Sequence, residues 1–86
     1  MATRKIQVTH EDITSGRPGD CIGCPVAIAA TRVFNRECLV DFDSILVSST
    51  PWDDRMTFRL PTNVRRRIRR FDMTAQMRPF TFELEG

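Results

Sequence analysis

A chain of 86 residues with 41% hydrophobic and 28% charged side chains has room for one thin-cored domain, residues 1–86, and needs neither disorder nor a disulfide scaffold to explain it. Three cysteines are an odd number, and two of them form Cys21-Ile22-Gly23-Cys24, which argues against a secreted disulfide framework and for a reducing cytoplasm. The net charge of +2 is too small for extended DNA contact, the longest apolar run falls far short of the roughly 20 residues of a membrane span, and the polar start from Met1 to Lys5 leads into no segment that would export or anchor the chain.

Ile6 and Val8 alternate with Gln7 and Thr9 as in a half-buried strand. Thr9-His10-Glu11-Asp12 has the spacing of a capping box and predicts one short helical turn. The stretch from Ser15 to Asp20 is dense in residues that break regular structure and predicts a tight loop. After it, Cys24 falls near the N-cap and Pro25 at the first position of a helix running to about Phe34. Around that helix Val26, Ala29, Ala30, Val33 and Phe34 share one arc, expected to face the core, and Ala27, Ala29 and Ala30 allow a close approach to a sheet. Ile28 falls outside the arc, which leaves it for a contact between copies of the chain or for the surface.

Cys38, Val40 and Phe42 alternate with Leu39 and Asp41, and the pattern resumes after Asp43-Ser44 in Ile45-Leu46-Val47. Two strands joined by a tight turn, or one bulged strand, are expected. Ser48 to Asp54 reads as a loop carrying Trp52. Met56, Phe58 and Leu60 then alternate with Arg55, Thr57 and Arg59, a strand with a basic outer face. Pro61 ends it, Thr62 is placed to cap a second helix, and Leu60, Val64, Ile68 and Phe71 form the apolar stripe. After a loop from Met73 to Pro79, Phe80, Phe82 and Leu84 mark a closing strand. This order predicts an α+β fold, a small mixed or antiparallel sheet of four to five strands with two helices packed on one face.

The run Gly16-Arg17-Pro18-Gly19-Asp20-Cys21-Ile22-Gly23-Cys24-Pro25-Val26-Ala27-Ile28-Ala29, with Arg69-Arg70-Phe71-Asp72 and Arg78-Pro79-Phe80-Thr81-Phe82, resembles a group of small actinobacterial and actinophage proteins that have no established activity. In that group a Cys-Pro-x-Ala-x-Ala helix follows a glycine-containing loop and a Pro-Phe-x-Phe strand closes the fold. The resemblance covers most of the chain, implies a bacteriophage or bacterial cytoplasmic origin, and transfers no catalytic residue. By analogy it suggests an inhibitor of host defence that coats a protein or sequesters a nucleotide messenger.

For a structural zinc, Cys21, Cys24, Cys38 and His10 are the one complete ligand set. The paired knuckles of common zinc sites are missing and Cys38 reads as an inward strand residue, so packed, metal-free cysteines are expected. Cys-x-x-Cys before a helix also suits thioredoxin-like chemistry, but the rest of that pattern is absent. One His, no Tyr and no paired carboxylates in an apolar setting leave no triad, so neither an enzyme nor a cofactor is expected. The loop from Gly16 to Cys24 reads either as an anion cradle, with Asp20 standing where a phosphate would sit, or as a simple turn into a helix.

Five of the basic residues, Arg65, Arg66, Arg67, Arg69 and Arg70, fall within six positions. Arg65, Arg66, Arg69 and Arg70 fan across the polar half of the second helix, and Arg67 flanks its apolar stripe. Like charges at i and i+4 cost a few tenths of a kcal/mol each, so the cluster is expected to bind phosphate or an acidic protein surface. Arg55 and Arg59 would widen the patch, and Trp52 would stack on a base, anchor an interface, or cover the core. The expected function is non-enzymatic binding of a phosphorylated, nucleotide-like ligand. The rivals are an inhibitor or adaptor docking an acidic partner and a zinc-stabilised nucleic-acid-binding module.

Overall fold

The elements form in the predicted order. A computed structural model describes residues 3–41 and 43–85; the expectation for Phe42 lies outside them. The elements are β1 (Thr3–Val8), α1 (His10–Ser15), α2 (Pro25–Phe34), β2 (Cys38–Val40), β3 (Ser44–Val47), β4 (Met56–Arg59), α3 (Thr62–Thr74) and β5 (Phe80–Glu85).

The fold is α+β and its strand pairs are antiparallel. Among the described residues, the five strands divide between two sheets, ordered β1-β5 and β2-β3-β4, and the helices number three. Short connections close the three-stranded meander locally, whereas the other sheet pairs the two ends of the chain, from Thr3↔Glu85 to Val8↔Phe80. One apolar cluster spans both, running from Ile6 and Val8 through α2 to Ile45, Phe58, Val64 and Leu84.

The capping box forms and starts α1. The Thr9 hydroxyl accepts from the Asp12 N–H at 3.2 Å and the Asp12 carboxylate accepts from the Thr9 N–H at 2.9 Å. In α2, Val26, Ala27, Ala29 and Ala30 are buried, and their small volume lets the helix pack against β1, β2 and β3. Val33, Phe34 and Ile28 are half-buried, and the Phe34 ring stacks on Phe58 at 5.4 Å. The helix stops at Asn35, which takes the left-handed conformation at φ 55°.

Two boundaries of α3 differ from expectation. Pro61, not Thr62, occupies the N-cap position, at φ −59° and ψ 150° with no side-chain cap; the proline ring fixes this extended entry, and Thr62 becomes the first helical residue. At the other end the helix continues to Thr74 and stops at Ala75, whose N–H donates to the Phe71 carbonyl at 2.7 Å. Val64 belongs to the main apolar cluster and Ile68 packs against it, while Phe71 is buried outside it. Among the described residues, no helix is long and apolar enough to cross a membrane.

Candidate anion-binding cleft

Burying Val64 and Phe71 on one side of α3 turns its arginines to the other. Arg65, Arg66 and Arg69 border a cleft of about 440 Å³, together with Thr62, Ile68 and Asp72 of the same helix. Gly19, Asp20, Cys21 and Cys24 of the loop before α2, with Val40 and Asp41 at the end of β2, line the rest.

Two hydrogen bonds hold the loop in place. The Asp72 carboxylate accepts from the Gly19 N–H at 2.8 Å, tying the loop to the last turn of α3. The Cys21 carbonyl accepts from the Val40 N–H at 2.8 Å, laying the loop along β2. Gly19 adopts φ 73°, a left-handed value that favours glycine. Gly16 is needed for a different reason, since a Cβ there would lie 2.5 Å from Cγ of Pro25.

The loop does not leave an open cradle for an anion, because its own groups fill it. Asp20 Oδ1 accepts from the N–H groups of Ile22 and Gly23, each at 3.0 Å, and these bonds, Gly23 first, hold the Asp20 carboxyl below the ordinary aspartate range. At the start of α2 the Cys24 sulfur accepts from the Ala27 N–H at 3.4 Å. Burial pushes the Cys24 thiol pKa up, away from the thiolate that redox chemistry needs. The simple turn into a helix is the arrangement found.

The anion-attracting end is that of α3. This helix has no acidic residue in its first turn and no side-chain cap, so its first N–H groups and partial positive charge meet the cleft at Thr62. The ion pairs Arg32–Asp12 and Arg36–Asp53 lie away from the α3 arginines. Arg65 Nη2 donates to the Thr62 hydroxyl at 3.2 Å, and its Nε is buried without a partner. Arg67 stands outside the cleft, its guanidinium 4.5 Å from the centre of the Phe80 ring.

The other residues expected at the site lie elsewhere. Arg70 is exposed on α3 but is not among the residues lining the cleft, and the same holds for Arg55, just before β4, and Arg59, at its end. Trp52 is 88% exposed on the loop between β3 and β4, so it does not cover the core. Its turn is braced, with the Thr50 hydroxyl accepting the N–H groups of Trp52 and Asp53 and Arg36 holding the Asp53 carboxylate at 3.0 Å.

His10 is exposed at the start of α1, and Cys38 is buried in β2. Among the described residues, no group of three or more His, Cys, Asp and Glu side chains is placed to hold a metal ion.

The sequence singles out the loop from Gly16 to Cys24, but residue-type patterns do not show that it faces α3 across the cleft. The available signal was Asp72, the single acid of α3, which sits in the last turn where the helix dipole disfavours it. Its partner, the Gly19 N–H, accounts for it. No known protein family, curated protein or solved structure matches the chain.

Proposed function

We propose that this is a non-enzymatic binding protein that holds a phosphorylated, nucleotide-like ligand in the cleft between α3 and the loop before α2. The observation that carries this reading is the convergence of Arg65, Arg66 and Arg69 on one cleft beside the uncapped start of α3. Arginine suits phosphate because its planar fork donates two parallel hydrogen bonds, and a helix start adds backbone donors. A phage-type sponge that sequesters a nucleotide messenger in the bacterial cytoplasm fits such a site and the resemblance noted above.

The test is calorimetric titration of the purified chain with nucleoside monophosphates and pyrophosphate. Replacing Arg66 and Arg69 together by Glu should lower affinity by a hundredfold or more, since each charge-assisted bond contributes about 1.5–3 kcal/mol. Arg70→Glu, outside the cleft, should bind as the parent does. Equal loss in both variants would mean that a diffuse basic surface, not the cleft, is responsible.

A second reading rests on Trp52. An exposed indole on a braced turn is a preorganised anchor for a protein interface, which suits an inhibitor or adaptor. Trp52→Ala would then abolish partner capture, and the arginines would contribute a steep salt dependence.

A further inference from the structure

We propose that the outer face of the three-stranded sheet packs on the same face of a second copy of this chain, forming a two-fold dimer in which Glu37 of each copy meets Arg55 of the other. The pairing register fixes what that face carries. Val40, Ile45 and Phe58 lie side by side across β2, β3 and β4 and are buried in the apolar cluster that includes α2. The next row, Leu39, Leu46 and Thr57, points the opposite way, because side chains alternate along a strand. Leu39 and Leu46 are half-buried, yet neither is among the apolar residues packed against that cluster.

The side of an antiparallel sheet that is turned away from the core is ordinarily polar. Here its centre is apolar and its borders are charged. One residue beyond the paired strands, the Glu37 carbonyl accepts from the Ser48 N–H at 3.0 Å, which continues the ladder and sets Glu37 and Arg55 at opposite edges of one row. Both are exposed, and so is Arg59, on the same edge as Arg55.

Such a face complements itself under one operation. A two-fold axis lying between two copies and running along the strands sets the β2 edge of one over the β4 edge of the other. Each Glu37 then meets an Arg55, the two Leu46 side chains meet at the axis, and each Leu39 covers a Thr57. The sheets stack in the aligned sense, about 10 Å apart, with the two β3–β4 loops and their exposed Trp52 side chains at the same end. An axis running across the strands would stack β4 on β4 and bring Arg55 against Arg59, which like-charge repulsion disfavours. A face three strands wide and about 20 Å long covers roughly 300 Å², short of the roughly 800 Å² per partner of a standard interface, so the dimer is weak, with a dissociation constant on the order of 10⁻⁴ M. Glu37, Leu39, Leu46 and Arg55 do not line the cleft, so this association stands apart from the phosphate reading.

The experiment is sedimentation equilibrium of the full chain from about 10 μM to about 1 mM, over which the average mass should rise from monomer toward dimer. Glu37→Arg and Arg55→Glu should each weaken the dimer about tenfold or more, since each places like charges on both sides of the axis. An equimolar mixture of the two should associate as the parent does, because one variant then carries only cations at these positions and the other only anions. Leu46→Lys should remain a monomer throughout. Thermal melts verify folding, and should Leu46→Lys unfold, the exposed charge variants decide. A parent that is monomeric at about 1 mM would overturn the proposal, and so would a mixture that stays as dissociated as its components. A dimer tightened by Arg55→Glu would overturn it as well, since that is the result expected where Arg55 faces Arg59.

Discussion

At the scale of single residues, the buried carboxylate of Asp12 shows how one side chain serves two partners. Thr9 and Asp12 were legible from their capping spacing, but Arg32, which lies 20 positions further on and holds the same carboxylate at 2.9 Å, was not, because nothing local in the sequence marks a tertiary pair. Burial raises the Asp12 pKa, but the hydrogen bonds from Arg32 and Thr9 outweigh it and hold the value below that of an ordinary aspartate. With the folded value below the unfolded one, the stabilisation is complete above about pH 4 and is lost as pH falls toward the lowered value. Asp12→Asn should therefore melt below the parent at pH 7, by about 1–3 kcal/mol, and the gap should close in melts below about pH 4. A gap equally wide at pH 2 would assign the loss to packing. The two loop glycines make a matched pair. Gly16→Ala drives a methyl group into the Pro25 ring and backbone and should cost about 1–3 kcal/mol. Gly19→Ala meets no atom within 4 Å, so its cost should be only the left-handed backbone, about 1–2 kcal/mol. Urea titrations that ranked Gly19→Ala as much the more damaging would contradict the close approach of the loop to α2.

At the scale of elements, helix starts were easier to read than helix ends. Cys24-Pro25 announced α2 because a proline at the first position loses no hydrogen bond, and Asn35 is a residue type that tolerates the left-handed stop. The end of α3 carried no such mark. Ala75 takes φ 57°, where a Cβ is disfavoured, and the chain reads as an ordinary loop residue there. Ala75→Gly should relieve that strain and raise stability by up to about 1 kcal/mol, seen as a thermal midpoint higher by several degrees; an unchanged or lower midpoint would show that the helix stop is set elsewhere. The burial of α3 was legible from its apolar stripe, and Phe71, 2% exposed, is with Val64 one of its two buried anchors. Truncating it to Ala should cost about 3–5 kcal/mol and, because Asp72 follows it, loosen the hold on Gly19. A urea midpoint unmoved by Phe71→Ala would mean that the helix is not seated as described.

At the scale of the whole molecule, the division into two sheets and the second wall of the cleft share one reason for escaping the sequence. Both depend on contacts between distant segments, the terminal strands in one case and Gly19 with Asp72, 53 positions apart, in the other, whereas periodicity reports only which face of an element turns inward. The arginine stripe was legible because it is such a face, but which arginines reach the cleft was not, and Arg70, Arg55, Arg59 and Trp52 fall outside it. The stripe also opposes stability. Arg65 with Arg69 and Arg66 with Arg70 are like charges one turn apart, each costing a few tenths of a kcal/mol, and α3 opens without an acidic residue in its first turn. Replacing Arg66 and Arg69 by Glu turns both repulsions into attractions, so the ligand-free variant should be more stable than the parent, by about 1 kcal/mol at low salt. For a domain of this size that is a rise of roughly 4–8 °C in the thermal midpoint, shrinking in 1 M salt as the charges are screened. A variant that binds nothing yet melts higher identifies side chains kept at a cost to the fold, as a binding site requires. A variant that melts lower would show instead that the guanidinium stems hold α3 in place, and the arginines would then be structural.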